Sequence, residues 1–216
     1  MIFAAVPIKA LAAAKTRLAP VLSAAERAAL AAELLRSVLQ ALADSGVISA
    51  TAVVSPDPAA LALARGAGAV GLPEQTGDLN AALEQARGWA LAGGAETLLV
   101  LLGDLPVLRG ADIAALAEIA GDPIREGAVV VIAPDRHGQG TNALLLRPPD
   151  AIPFTFGAGS YRRHFQAAAA RGAEIMVYRS PGTGFDLDTP EDLAVLQTRF
   201  IAAGGPPAVV LAGRRP

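Results

Sequence analysis

Short apolar runs alternate along this chain with longer stretches whose apolar residues follow a helical period. IFAAV at 2–6 predicts a first strand. Ser23 followed by Glu26 is a capping box: the serine hydroxyl accepts from the amide three residues on, and the glutamate reaches back to the serine amide. Behind it Leu30, Leu34, Val38 and Leu42 recur every four residues as the stripe of an amphipathic helix, which Gly46 closes. TAVVS at 51–55 predicts a strand, Pro56-Asp57-Pro58 a turn, and the residues to Arg65 a short helix. A brief strand at 69–72 and Gly77-Asp78-Leu79-Asn80 precede a helix ending near residue 92. TLLVLL at 97–102 is apolar at nearly every position, as in a strand buried on both faces of a parallel sheet. Further helices are expected at 113–120 and 161–171, and strands at 128–133, 142–146 and 174–178. In the last helix, from Thr189 to near residue 201, Thr189, Pro190 and Asp192 read as N-cap, N1 and N3.

Such alternation predicts an α/β fold: three α/β/α layers around a mostly parallel sheet, with right-handed crossovers and ligands outside the carboxyl ends of the strands. Residues 1–203 are expected to form a single domain, and 204–216 (GGPPAVVLAGRRP) a loosely attached tail. The chain of 216 residues is 53% hydrophobic and 18% charged, which supports a sizeable core and argues against disorder. Its net charge of −2 offers nothing to duplex nucleic acid or an anionic membrane surface. The absence of cysteine excludes disulfides, zinc–thiolate sites and a cysteine nucleophile. No apolar run approaches the roughly 18 residues of a membrane span. Lys9, Lys15 and Arg17 follow the first apolar run instead of preceding it, the reverse of an export leader, so a cytoplasmic location is expected.

Five stretches carry candidate chemistry. Asp104, in LLVLLGDLPVL, ends a buried strand at the expected ligand edge; the competing reading is a turn cap beside Pro106. In FDLDTPED, Asp186 and Asp188 lie two apart and share one side of an extended segment. Adjacent carboxylates repel unless a cation sits between them, and Mg²⁺ suits hard oxygen ligands; Asp188 also stands next to a helix start. In PDRHGQGTN, glycines permit close backbone approach, Thr141 and Asn142 offer donors to anionic oxygens, and His137 is either a base or a solvated loop residue. In FGAGSYRRH, glycines lead into a helix beginning near Ser160, whose free amides would attract an anion, unless Ser160 is an ordinary cap. His164 lies one turn on, on the same face. Pro7 bars an immediate helix after the first strand, so Lys9, Lys15 and Arg17 fall on a loop, either solvated or neutralising nucleotide phosphates. There is no G-x-G-x-x-G after strand one and no G-x-x-x-x-G-K-[ST] anywhere, which disfavours Rossmann and P-loop enzymes. Cations, hydroxyls, glycines and three carboxylates, with only two histidines, suit phosphoryl or nucleotidyl transfer.

VPIKALAAAKTRLAP, LLGDLPVL, APDRHGQGTNALLL, FTFGAGSYRRH and FDLDTPEDL, in that order over about residues 3–196, resemble the phospholactate/phosphoenolpyruvate guanylyltransferases of coenzyme F420 biosynthesis. The GTN loop with the downstream FGxxS…RH is the specific part; DLP alone is shared by many nucleotidyltransferases. The resemblance implies a nucleotide-diphospho-sugar-transferase-like fold. It also implies that GTP and a phosphorylated three-carbon acid become a GDP-linked acid and pyrophosphate. Carried over by position, Asp104, Asp186 and Asp188 would hold Mg²⁺, and Thr141, Gly157 and Ser160 would bind the phospho-acid. Lys9, Lys15 and Arg17 would meet the triphosphate, with Lys15, Arg17 and Asp104 acting in catalysis. Ser55, Gly77 and Asn80 would line the nucleoside side. The glycine-rich first loop of sugar nucleotidyltransferases is missing here. A homodimer and delivery of the product to the next F420 enzyme are further expectations. The alternatives are a nucleotidyltransferase for 3-phosphoglycerate, molybdopterin or a sugar phosphate, or a non-catalytic nucleotide-binding module.

Overall fold

The structure, a computed structural model, describes residues 1–122, 124, 125 and 127–201. Seven strands form one sheet: β1 (Ile2–Pro7), β2 (Ala50–Ser55), β3 (Val70–Pro73), β4 (Thr97–Leu101), β5 (Val129–Pro134), β6 (Thr141–Arg147) and β7 (Glu174–Val177), in spatial order β3-β2-β1-β4-β6-β5-β7. All neighbours are parallel except β6, which runs antiparallel to both β4 and β5. Only six residues separate β5 from β6, too few for the dozen or more that a parallel crossover needs, so the chain turns back as a hairpin. This reversal has a consequence for the site. The first residues of β6 lie at the carboxyl edge of the parallel strands, with Thr141 opposite Pro134 and Ala143 opposite Leu101.

Both faces of the sheet are covered, which is why the strands read as unbroken apolar runs. One face packs Ala4, Val6, Leu99 and Leu101 under helices α1 (Ala24–Asp44), α2 (Pro58–Gly66) and α4 (Gly110–Gly121). The other packs Phe3, Ala5, Leu98 and Val100 against α3 (Leu79–Ala92), α5 (Ser160–Ala170) and the phenylalanines Phe154 and Phe156. The predicted stripe of α1, Leu30, Leu34, Val38 and Leu42, is fully buried, and the Ser23–Glu26 capping box closes in both directions. A smaller cluster of Leu18, Leu22, Leu30, Leu34, Phe185, Leu187, Leu193 and Leu196 ties the loop after β1 to the segment carrying Asp186 and Asp188.

Two short helices complete the fold, α6 (Pro181–Gly184) and α7 (Pro190–Val195). Thr189 caps α7, with Pro190 in its first turn and Asp192 reaching back, as its sequence predicts. The regular helix ends earlier than expected, and a wider π-type turn occupies Leu196–Ile201. The expected tail at 204–216 lies outside the described residues. Among the described residues no helix is long and apolar enough to cross a membrane.

Candidate active site

At the carboxyl edge of β1 and β4 a cleft of about 410 Å³ is lined by Lys9, Lys15, Arg17, Asp104 and Asp188. Its floor comes from Ile8, Leu79 and Leu102. Lys9 stands just past β1; the chain then makes two single 3₁₀ turns, Leu11–Ala13 and Thr16–Leu18, which bring Lys15 and Arg17 back over the sheet edge. The Asp57 carboxylate anchors this excursion, accepting from the Leu11 amide at 2.8 Å while it caps α2 through the Ala59 amide. The sequence showed Asp57 only as part of a turn; its reach to Leu11 is a long-range contact without a local signal.

Lys15 sits at the centre. Its ammonium donates at 2.9 Å to Asp104 Oδ2 and at 2.9 Å to Asp188 Oδ1, and its side chain is only 7% exposed. Burial pulls its pKa down, but the two carboxylates outweigh burial and hold it above the usual lysine value. It is the single non-glycine residue with positive φ among the described residues, at 54°, a conformation costing on the order of 1–2 kcal/mol. Arg17 approaches Asp188 from the solvent side at 3.9 Å and stays largely exposed. Lys9 is exposed at the rim.

The carboxylates are unevenly satisfied. Asp104 Oδ1 is buried without a hydrogen-bond partner. Asp186 is weakly held, by its own backbone amide and by a 3.4 Å contact from the Asn142 amide, whose shorter bond goes to the Thr183 carbonyl. Burial, then the neighbouring Asp104 and more weakly Asp188, hold the Asp186 carboxyl above the usual range. Asp192, one turn on, is the opposite case: burial is outweighed by the amides of Asp188 and Thr189 and by Arg136, so its carboxyl lies below the usual range. Among the described residues, no three His, Asp, Glu or Cys side chains already stand as a ligand set for a metal; Lys15 bridges two of the acids instead.

The remaining predicted residues fall in other places. Thr141 and Ser160 are buried and bonded to each other, the Thr141 amide donating to Ser160 Oγ at 2.9 Å. His164 joins them. Its Nε2 accepts from the Thr155 amide at 3.1 Å, so Nδ1 carries the proton and donates to Thr141 Oγ1 at 3.0 Å. Burial, and then Arg163, lower the His164 pKa to about 4, and the ring stays neutral against the edge of Phe156. The cap of α5 is Gly159, not Ser160, and the Ser160 and Tyr161 amides are occupied by the carbonyls of Gly157 and Gln139. Gly157 is exposed on the loop before α5. The PDRHGQG turn is filled by Asp135, which accepts from the amides of Gln139 and Gly140, and His137 is exposed. Ser55 is buried at the end of β2 with its hydroxyl on the Asp57 amide, and Gly77 is exposed; neither lines the cleft. The Asn80 amide is spent on the backbone of Phe156.

The fold is that of nucleotide-diphospho-sugar transferases. A nucleotide-diphospho-sugar transferase structure from Desulfovibrio desulfuricans G20 superposes with a TM-score of 0.74 at 20% identity, covering 91% of this chain and 86% of that one. A nucleotidyl transferase from Methanothermobacter thermautotroptrophicus gives 0.67 at 16%, over 94% and 99%. The family described as guanylyl transferase, CofC-like, matches residues 2–199, and the chain belongs to it. The phosphoenolpyruvate guanylyltransferase of Rubrobacter xylanophilus is 51% identical over 94% of this chain and 95% of its own. That of Sphaerobacter thermophilus is 45% identical over 89% and 91%. The protein is a nucleotidyltransferase.

Proposed function

We propose that the protein transfers GMP from GTP to a phosphorylated three-carbon acid, phosphoenolpyruvate or 2-phospho-L-lactate, and releases pyrophosphate. The observation that carries this reading is the cleft lined by Lys9, in which Lys15 and Arg17 converge on Asp104 and Asp188, in a chain of the guanylyl transferase family. Relatives named for phosphoenolpyruvate support the choice of acceptor. In this reading the GDP-linked acid serves coenzyme F420 biosynthesis.

One bond forms and one breaks. A phosphate oxygen of the acid attacks the α-phosphorus of GTP, and the oxygen bridging to the β-phosphorus leaves with pyrophosphate. A phosphate monoester has a second pKa of about 6, so the attacking oxygen is already anionic at neutral pH and needs no protein base. This agrees with a cleft that no histidine lines. The barrier lies in bringing two anions together. Lys9, Lys15 and Arg17 are suited to lower it, since a fixed donor aimed at developing charge is worth about 10²–10³ in rate. Lys15 is held ready in its left-handed turn. The Thr141, Gly157 and Ser160 corner takes the acid, and it adjoins Asp186 through Asn142.

Mg²⁺ is the cofactor of this reading, and the residues fit it. Asp104 offers a buried oxygen with no partner, and Asp186 is crowded by two further carboxylates. Asp104, Asp186 and Asp188 would hold the ion. Bound there, it supplies positive charge to phosphoryl oxygens, a contribution of several kcal/mol. The test is pyrophosphate release from GTP or ATP with phosphoenolpyruvate, 2-phospho-L-lactate, 3-phosphoglycerate and a sugar phosphate in turn, with and without Mg²⁺. Magnesium-dependent release from GTP with one of the first two acids is expected. Release with none of the three-carbon acids would discard the reading.

A further inference from the structure

The loop between β6 and α5 has no regular structure at 155–158, yet its backbone is held from both sides. Thr155 donates its amide to His164 Nε2, and its carbonyl accepts from Arg163 at 2.8 Å. The Phe156 amide donates to Asn80 Oδ1 at 2.7 Å, and its carbonyl accepts from Asn80 Nδ2 and from Arg163, each at 3.3 Å. All four backbone polar groups of these two residues are thus occupied by side chains of α3 and α5. The carbonyls of Gly157, Ala158 and Gly159 accept in turn from the Ser160 amide, the Arg163 guanidinium and the Arg163 amide. Every carbonyl from 155 to 159 is therefore taken. By contrast, the amides of Gly157, Ala158 and Gly159 have no protein acceptor among the described residues. Gly157 at φ 115° and Gly159 at φ 70° give the chain a path that side-chain-bearing residues rarely adopt. The outcome is a run of three donor-only amides beside Ser160, fixed in shape and suited to an anion.

Asn80 is the one member of this clamp that does not belong to α5 or to the loop. It grips Phe156 as a neighbouring strand would, donating and accepting across the same residue. We propose that Asn80 is a positioning residue for the phospho-acid loop: from the first turn of α3 it sets the path of residues 156–159, and so the aim of their amides. This inference rests on the reading of Gly157 and Ser160 as the acceptor corner, and it moves Asn80 from the nucleoside side to the acid side of the reaction.

The experiment pairs steady-state kinetics with amide hydrogen exchange on Asn80→Ala and Asn80→Asp. Losing two hydrogen bonds that shape a loop should raise KM for the acid by about tenfold, while KM for GTP stays within about twofold. The Phe156 amide should exchange about tenfold faster with α1 unaffected. Asn80→Asp keeps the acceptor for the Phe156 amide and should recover part of both losses. A rise in KM for GTP with the acid unaffected would make Asn80 a nucleoside contact and overturn the proposal. An equal rise in both, or no change in either, would overturn it as well. If the unaltered protein released no pyrophosphate with any acid, the functional reading would fall and exchange alone would judge the clamp: unchanged exchange at Phe156 in Asn80→Ala rejects it.

Discussion

The cleft around Lys15 and the loop at 155–158 lie along the same sheet edge and are built in opposite ways. In the cleft, polar groups are left wanting. Asp104 Oδ1 is buried without a partner, Asp186 is held above its usual pKa, and Lys15 adopts a left-handed backbone to reach two acids. Along the loop the backbone of Thr155 and Phe156 is satisfied, since Asn80, Arg163 and His164 occupy every polar group of these two residues. Only the amides of Gly157, Ala158 and Gly159 are left there without a protein partner among the described residues. Among the described residues, the one buried side-chain oxygen or nitrogen of that loop without a partner is the Thr155 hydroxyl. Unbalanced charge costs stability and is tolerated where a ligand arrives to balance it. A saturated network costs little and resists movement. The cleft therefore suits highly charged, exchanging ligands, and the loop, in the proposed function, would discriminate among small acids by shape.

Substitutions should separate the two regions by what they damage. The largest expected effect is on turnover, from Asp104→Asn. The side chain keeps its shape, and removing one of three crowded carboxylates relieves the repulsion on Asp186. Pyrophosphate release at saturating Mg²⁺ should fall about a thousandfold, while the melting temperature changes by no more than a few degrees. Turnover within about tenfold of the unaltered protein would remove Asp104 from the site. Next comes Lys15→Met, which keeps the stem and removes the charge. It should lower kcat/KM for GTP about a hundredfold. It should also leave Asp104 and Asp188 without their shared cation, so that Mg²⁺ raises the melting temperature of the variant by more than that of the unaltered protein. An equal rise in both would mean that lysine and metal do not answer to the same carboxylates.

The charged cleft was legible in the sequence, and the neutral loop was not. Lys9, Lys15, Arg17, Asp104 and Asp188 stand out as polar residues in apolar surroundings. Strand-end position brings Lys9 and Asp104 to one edge, while two 3₁₀ turns return Lys15 and Arg17 to it and the segment between α6 and α7 supplies Asp188. The sheet was legible for the same reason, since its buried strands are unbroken apolar runs. The reversal of β6 was available in principle from the short spacing between 134 and 141. What composition and spacing do not reveal is which partner a polar side chain finds across the fold. Asp57 and Leu11 lie 46 residues apart, and Asn80 and Phe156 lie 76 apart. Thr141 and Ser160 stand out as ligand donors in sequence, but nothing local shows that the Thr141 amide donates to Ser160 Oγ or that the Thr141 hydroxyl meets His164. A hydroxyl advertises capacity for a hydrogen bond and not its destination.

The smallest expected effect tests the loop through pH. His164 is buried and neutral, accepting from the Thr155 amide and donating to Thr141, and its pKa is lowered from 6.5 to about 4, first by burial and then by Arg163. A histidine whose folded pKa is depressed contributes stability that is fully present above its unfolded value and is lost as pH falls toward the folded one. Stability should therefore decline between pH 6.5 and about 4, by a limit of about 3 kcal/mol from this group. Protonation would place a donor on Nε2 against the Thr155 N–H, so the loss should appear first as faster amide exchange at 155 and 156. His164→Gln retains an acceptor for that amide and cannot titrate. Denaturant melts of the two proteins at several pH values should show the slope in the parent and a flatter line in the variant. Parallel lines would mean that His164 is not held neutral by this network, and the contrast between a tethered loop and a frustrated cleft would lose its main support.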